Sequence, residues 1–310
     1  MTQSVSKWIV AEAEQLGFDA CGIANATALD EESAHVERWL EDHHEGEMGY
    51  LTRNREKRYD PRLLVEGTKS IVTVLYNYYP KHTLGNPDRF KIAKYAYGAD
   101  YHDVLKRKMR QLLERIERQT GKLESTRVFV DSAPVLDRAW AVRCGLGFIG
   151  KNTTLIHPKK GSFFFIGHLF LPIDLTETGQ VMTNRCGRCT KCLDACPTGA
   201  LEAPFHIDAR KCISYLTIEY KGNLEGLDPE TFKGWMYGCD ICQDVCPYNR
   251  FALPNIEPEF QLSEKLLAMR DNDWKNLNQA DFETLFKHSA VQRAGYEGLK
   301  RNIDFISGES

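Results

Sequence analysis

Eight of the chain's ten cysteines fall between positions 186 and 246, and no other feature limits the fold so strongly. The first run is Cys186-x2-Cys189-x2-Cys192-x3-Cys196-Pro197, within "CGRCTKCLDACPTGA". The second, Cys239-x2-Cys242-x3-Cys246-Pro247, repeats the end of the first, with Met236 where an in-frame leading cysteine would fall. Cys212 lies between the two runs. The N-terminus, "MTQSVSKWIVAEAEQLGFDA", has no apolar h-region and carries acids early, so it does not read as a signal peptide. Disulfides are therefore a poor explanation for the crowding, and metal or cluster ligation is the better one.

The spacing of the first run is that of bacterial ferredoxins binding [4Fe–4S] clusters, where the fourth cysteine serves the neighbouring cluster. Three thiolates at short intervals let a tight loop wrap three iron corners, and the loop's amides offset the cluster's negative charge. This assigns Cys186, Cys189, Cys192 and Cys246 to one cluster and Cys196, Cys212, Cys239 and Cys242 to the other. Residues 213–238 are then an insertion that a small ferredoxin lacks. Zinc is the competing reading, but it favours paired CxxC motifs or Cys with His. The one histidine nearby, His206, stands outside both runs. Cys21 and Cys144 lie in apolar surroundings ("FDACGIA", "VRCGLGF") and read as small buried hydrophobes.

Two clusters imply single-electron steps, and 185 residues precede the first ligand, so an attached catalytic domain is expected. Apolar residues make up 42% of the chain, enough for a sizeable core, and the net charge of −3 excludes a strongly basic whole-protein footprint. No stretch reaches the apolar length of a membrane span, which points to a cytoplasmic location. Val5, Trp8, Ile9, Ala13 and Leu16 predict a first amphipathic helix. Strands are expected at 21–24, 69–79, 126–130 and 162–171, and helices at 30–42, 101–119 and from Pro134. The pattern is a mixed α+β layer architecture without a regular parallel cadence.

"DSAP" follows the strand at 126–130. Asp131 stands at that strand's end, where chemistry often gathers; equally, Asp131 or Ser132 could cap a helix whose first turn holds Pro134. The glycines of "GLGFIGKN" (145–152) allow tight turns and close backbone approach to a ligand. Arg55, Lys57, Arg58 and Arg62, with "LKRKMR" (105–110) and "HPKKG" (157–161), are either solvated faces or phosphate contacts.

Together "GEMGYLTRNREKRYDPRLL", "YGADYHDVLKRK", "FVDSAPVLDRAWAVRCGLGFIGKN", "GSFFFIGHLFL" and "CGRCTKCLDACPTGAL…RKCISYLTIEYKG…YGCDICQDVCPYNR" resemble the epoxyqueuosine reductase family, in order over residues 5–250. That resemblance implies a nitroreductase-like cobalamin domain (1–180), a 2[4Fe–4S] ferredoxin-like domain (181–250) and a helical C-terminal extension (251–310). It implies cobalamin as a cofactor beside two [4Fe–4S] clusters, a pairing shared with reductive dehalogenases. It implies reduction of the cyclopentane epoxide of epoxyqueuosine in tRNA to queuosine. No D-x-H-x-x-G box for a histidine ligand to cobalt is present; "DHHEG" (42–46) is one residue short of it. By the same resemblance Asp131 is the catalytic acid, and Arg58, Asn152, Ser214 and Asp240 contact cobalamin together with Asp131. Burial beside the corrin is expected to raise the Asp131 pKa so that it stays protonated.

Lys221, Arg188 and Lys191 are candidates for tRNA phosphates, and Arg293, Lys300 and Arg301 give the C-terminal segment a basic side. The partners expected are tRNA carrying epoxyqueuosine and an external low-potential electron donor, with the chain monomeric. Two other readings remain: a cobalamin and iron–sulfur reductase of a small halogenated or epoxide substrate, and a ferredoxin-type carrier with a docking domain.

Overall fold

The computed structural model describes residues 2–84 and 90–308. Its centre is a four-stranded sheet in the order β1 (Ala20–Asn25), β2 (Ser70–Asn77), β7 (Phe164–Leu171), β4 (Arg127–Phe129), every pair antiparallel. Strand β2, "SIVTVLYN", is buried at every position but its last. Its alternate residues explain why. Val72, Val74 and Tyr76 face one core and Ile71 and Leu75 face another, as the two-residue period of a strand requires. Two short pairs complete the strands: β5 (Phe148–Ile149) with β6 (Leu155–Ile156), antiparallel, and β3 (Lys91–Ile92) with β8 (Trp235–Tyr237), parallel.

Helices α1 (Thr2–Gln15) and α5 (Tyr101–Thr120) cover one face of the sheet. Leu105, Met109, Leu112 and Ile116 of α5 recur at helical spacing and are fully buried there. Helix α5 begins where the Asp100 side chain accepts the His102 backbone N–H at 2.9 Å, and it ends at Gly121, φ +90°. The second face carries α6 (Asp137–Arg143), whose Trp140 and Ala141 pack on Ile71, Leu75 and Phe170. Before it come α2 (Asp30–Glu41), α3 (Arg55–Tyr59) and α4 (Pro61–Leu64).

The iron–sulfur segment is mostly loop, with short α7 (Lys191–Ala195), α8 (Ile213–Ile218) and α9 (Ile241–Asp244). The C-terminal helices α10 (Glu264–Ala268), α11 (Asp271–Lys275), α12 (Gln279–Phe286) and α13 (Gly295–Ser307) build a third core on β3 and β8, around Ile92, Met236, Tyr237, Phe286 and Ile303. Residues 213–238 form a fourth core with Phe305 through Ile213, Leu216, Phe232 and Trp235. Buried Asn302 of α13 donates to the carbonyls of Thr217 and Met236 at 2.8 and 2.9 Å, fixing the register of that contact. Among the described residues, no helix is long and apolar enough to cross a membrane.

One local expectation fails. The helix expected from Pro134 starts at Asp137, and neither Asp131 nor Ser132 caps it; the cap position is Leu136. Ser132, Ala133 and Val135 instead donate to the carbonyls two residues back, a run of tight turns. Ala133, preceding a proline, is disfavoured in helical geometry. The glycines at 145–150 allow close approach of the chain to itself: a Cβ on Gly147 would lie 2.4 Å from the Ile156 carbonyl, and one on Gly145 2.6 Å from Gly179. Cys144 is buried, its Sγ 3.2 Å from Thr73 Oγ1, and burial pushes its thiol up to about 12.

Candidate functional site: two thiol quartets and a carboxylate recess

The chain's path brings the cysteines into two groups. Cys186, Cys189, Cys192 and Cys246 line one open cavity with Lys151, Asn152 and Tyr248. Cys246 lies close enough to Cys186 and Cys189, and Cys192 to Cys186 and Cys246, for their thiolates to repel. Cys212 stands in the same relation to Cys196, Cys239 to Cys212 and Cys242, and Cys242 to Cys212 and Cys196. Cys242 also interacts with Cys192, so the groups adjoin. Among the described residues, no three thiols come within 4.8 Å of one another, whereas a single tetrahedral zinc with Zn–S near ~2.3 Å draws its sulfurs closer than that. Burial pushes the thiols of Cys212, Cys239 and Cys242 up, so metal loading there must expel protons.

Neighbouring backbone amides offset part of the effect of burial on these thiols: that of Tyr248 at Cys246, those of Ser214 and Tyr215 at Cys212, and that of Ile241 at Cys239. Such donors offset the charge of a cluster. Ser214 therefore enters the site through its amide, at the start of α8. Lys151 Nζ clamps the first loop through the carbonyls of Gly187 (2.7 Å) and Cys189 (3.0 Å). Asn152, 3% exposed, reaches the Cys242 carbonyl at 3.3 Å. Asp240 is 1% exposed and engaged by Lys94, through its backbone N–H at 2.8 Å and Nζ at 3.4 Å. The structure thus places Asn152, Ser214 and Asp240 around the second quartet.

The second feature is a recess at the end of β4. Asp131 adopts φ +54°, a left-handed conformation uncommon outside glycine. Its Oδ2 accepts from Tyr101 Oη at 2.5 Å and lies 3.3 Å from His102 Nε2. His102 Nδ1 in turn lies 2.7 Å from Asp100 Oδ1. The N-cap of α5 therefore also orients this imidazole. Asp131 and Arg138 are open to solvent, yet the surrounding protein is dense enough to drive Arg138 below its ordinary value. They occupy a hollow, not a convex surface. Tyr50, Arg58, Asp137 and Arg293 complete it electrostatically. Arg58 is 8% exposed; its Nη2 meets the Tyr50 carbonyl at 3.2 Å and its Nε has no hydrogen-bond partner.

The charges in the hollow run opposite to the expectation for Asp131. Burial pushes its carboxyl up, but the bonds from His102 and Tyr101 outweigh burial and hold it below the ordinary range. Desolvation likewise opposes a charge on His102, but Asp100 and Asp131 overcome it and raise the imidazole to about 9. The protonated group at neutral pH is His102. Burial does raise one carboxyl there, that of Asp137, against the pull of His168. Tyr101 and His102 lay in plain view in "YGADYHDVLKRK"; the signal missed was an Asp N-cap followed at once by two polar aromatics.

Tyrosines link hollow and quartet. Tyr101 packs edge-on to Tyr95 with centroids 6.1 Å apart, and Tyr95 Oη meets Tyr237 Oη at 3.3 Å, two residues before Cys239. The basic side expected of the C-terminal segment is not free. Arg293 pairs with both oxygens of Glu219, Lys300 with Asp304, and Arg301 with the carbonyls of Leu216, Tyr220 and Gly222. Lys221 Nζ reaches the carbonyls of Ile218 and Arg293. Arg188 and Lys191 are exposed.

Comparison with known proteins matches residues 58–132 to the family described as "Epoxyqueuosine reductase QueG, DUF1730" and residues 185–249 to "4Fe-4S double cluster binding domain". The epoxyqueuosine reductase of Leadbetterella byssophila is 50% identical over 97% of this chain and 98% of its own. That of Cellulophaga algicola is 48% identical over 97% of both chains, and that of Escherichia coli 36% over 100% and 81%. A crystal structure of epoxyqueuosine reductase with an epoxyqueuosine-modified tRNA-Tyr stem loop superposes with a TM-score of 0.88 at 29% identity, covering 99% of this chain and 81% of that one. The Bacillus subtilis enzyme, solved with an aspartate-bearing catalytic loop swung out of the active site, gives 0.83 at 29% identity, over 99% and 82%. On the near full-length relatives and the family match that begins at Arg58, this chain belongs to the epoxyqueuosine reductase family and is an oxidoreductase with a 4Fe-4S double cluster domain.

Proposed function

We propose that the chain reduces the cyclopentane epoxide of epoxyqueuosine in tRNA to the alkene of queuosine. The conversion takes two electrons and two protons and releases the epoxide oxygen as water. The observation that carries this reading is the hollow: a strained Asp131 held by Tyr101 and a protonated His102, joined by tyrosines to the buried thiol quartet. Strain of this kind gathers at working sites, and the Bacillus subtilis relative moves an aspartate loop out of its site.

Cobalamin fits the hollow on one observation of this chain, the buried Arg58 Nε with no partner, a donor awaiting an acceptor. Arg58 and Asp131 would hold it, with Asn152, Ser214 and Asp240 behind them; bound there, it supplies single electrons to carbon. The rest of the work belongs to side chains. Seating ligands over Asp131 removes water, and that desolvation pushes its carboxyl up. The proton on His102 Nε2 then has a 3.3 Å path to Asp131 Oδ2 and onward to the departing oxygen. Asp131 is thus the immediate donor and His102 its source. Tyr101 keeps the carboxylate aimed.

In this reading residues 1–180 are a nitroreductase-like catalytic unit, 181–250 a ferredoxin-like unit and 251–310 a helical extension. Cys186, Cys189, Cys192 and Cys246 hold the cluster that an external low-potential donor reaches; Cys196, Cys212, Cys239 and Cys242 hold the inner one. Arg188 and Lys191 face tRNA phosphates, and the enzyme works as a cytoplasmic monomer. Replacing Asp131 by Asn should leave iron content intact and slow queuosine formation at least ~100-fold, measured by nucleoside analysis of tRNA that has accumulated epoxyqueuosine. Normal turnover by the variant would defeat the assignment.

A further inference from the structure

Away from both quartets and the hollow, the structure gathers a second kind of donor set. An oxygen of Asp42 and ring nitrogens of His44 and His206 all lie within 4.8 Å of one another. The two imidazoles meet edge to face with centroids 4.9 Å apart. Glu202 Oε2 stands 4.0 Å from His44 Nε2 and 3.8 Å from His206 Nε2, while its other oxygen takes Lys211 Nζ at 2.5 Å. His44 is only 9% exposed, and its Nδ1 has no hydrogen-bond partner. A buried ring nitrogen left without a partner is costly unless something fills the place.

The backbone holds these groups where they are. His43 takes φ +54°, which turns the chain sharply after α2 and directs His44 inward. Ala209 donates to the His44 carbonyl at 3.0 Å, and Trp39 Nε1 donates to the Ile207 carbonyl at 2.6 Å. His206 sits in a tight bridge with Ala203, and Phe205 donates to the Lys151 carbonyl at 3.0 Å. Two segments far apart in sequence are thus fixed side by side before any ion arrives.

We propose that Asp42, His44 and His206 bind a divalent transition ion of the zinc class, with water completing the shell. Two imidazoles and a carboxylate make a nitrogen and oxygen set suited to zinc and its neighbours and foreign to an iron–sulfur cluster. Bond lengths near ~2.0–2.1 Å require the three side chains to draw in slightly, which half-buried His206 and exposed Asp42 are free to do. The ion fastens the end of α2 to the 202–206 turn, the piece of chain that leads into Cys212.

The test uses the full chain with its clusters loaded anaerobically, so that cysteines do not compete for the added metal. Zinc is supplied from a chelator buffer, counted against iron, and examined by zinc X-ray absorption. One zinc beyond the iron load is expected, with nitrogen and oxygen scatterers near ~2.0 Å. His206→Ala and, separately, Asp42→Asn should each weaken zinc binding at least ~10-fold with iron content unchanged. Zinc should raise the melting temperature of the parent protein and not that of His206→Ala. Equal zinc affinity in parent and variants overturns the proposal. So does sulfur scattering near ~2.3 Å, which assigns the metal to cysteines.

Discussion

His102 is the residue at which the proton path can be read most directly. Its imidazole stays charged to about pH 9 because Asp100 and Asp131 outweigh desolvation. Turnover that draws on its proton should hold through neutrality and decline as pH rises past about 9. His102→Gln should lose that limb of the pH–rate profile and run at least ~100-fold slower; an unchanged profile would remove His102 from the path. Stability follows the same linkage. His102 has a folded value above its unfolded 6.5, so its contribution is complete below that value and vanishes as pH rises through about 9. Asp100 and Asp131 have lowered values, so their contributions persist above 3.8 and are lost as pH falls through the folded values. The melting temperatures of parent and His102→Gln should therefore converge above about pH 9. Family resemblance was enough to single out Asp131, but not to give its charge state. That is set by Tyr101 and His102, some thirty residues away, and such contacts leave no trace in local pattern.

Among the elements, α5 and β2 were legible because burial on a stripe, or on both faces, leaves a strong period in sequence. The pairing of β3 with β8 was not, since two- and three-residue strands carry no period. The segment 213–238, the insertion that a small ferredoxin lacks, joins α13 and β3, and its Tyr215 Oη takes the Glu47 backbone N–H at 2.7 Å. Arg301 is the clamp on it, with three carbonyls on one guanidinium. Replacement by Leu leaves those carbonyls unpaired, and we expect a loss of ~2–3 kcal/mol. Thermal unfolding of the cluster-loaded protein checks this, and Arg301→Lys should recover only part of the loss, since a single ammonium cannot reproduce the fork.

Over the whole molecule, the two quartets interleave along the chain: Cys196 is drawn from the first run into the second group, and Cys246 from the second run into the first. The spacing gives the same expectation, since the fourth cysteine of such a run serves the neighbouring cluster. Cys246→Ala should therefore cost the outer cluster, about half of the ~8 irons, and stall reduction by the external donor while the inner cluster remains visible by electron paramagnetic resonance. Full iron loading in that variant would break the assignment. The interleaving also bears on how the enzyme is made. Neither group of thiols is complete until the chain has been synthesised past Cys242 and Cys246, so iron delivery follows translation of both runs and cannot proceed one run at a time. A cell short of iron would hold a finished polypeptide with its loops open, exposed to proteolysis between positions 186 and 246, and its supply of modified tRNA would then track its iron.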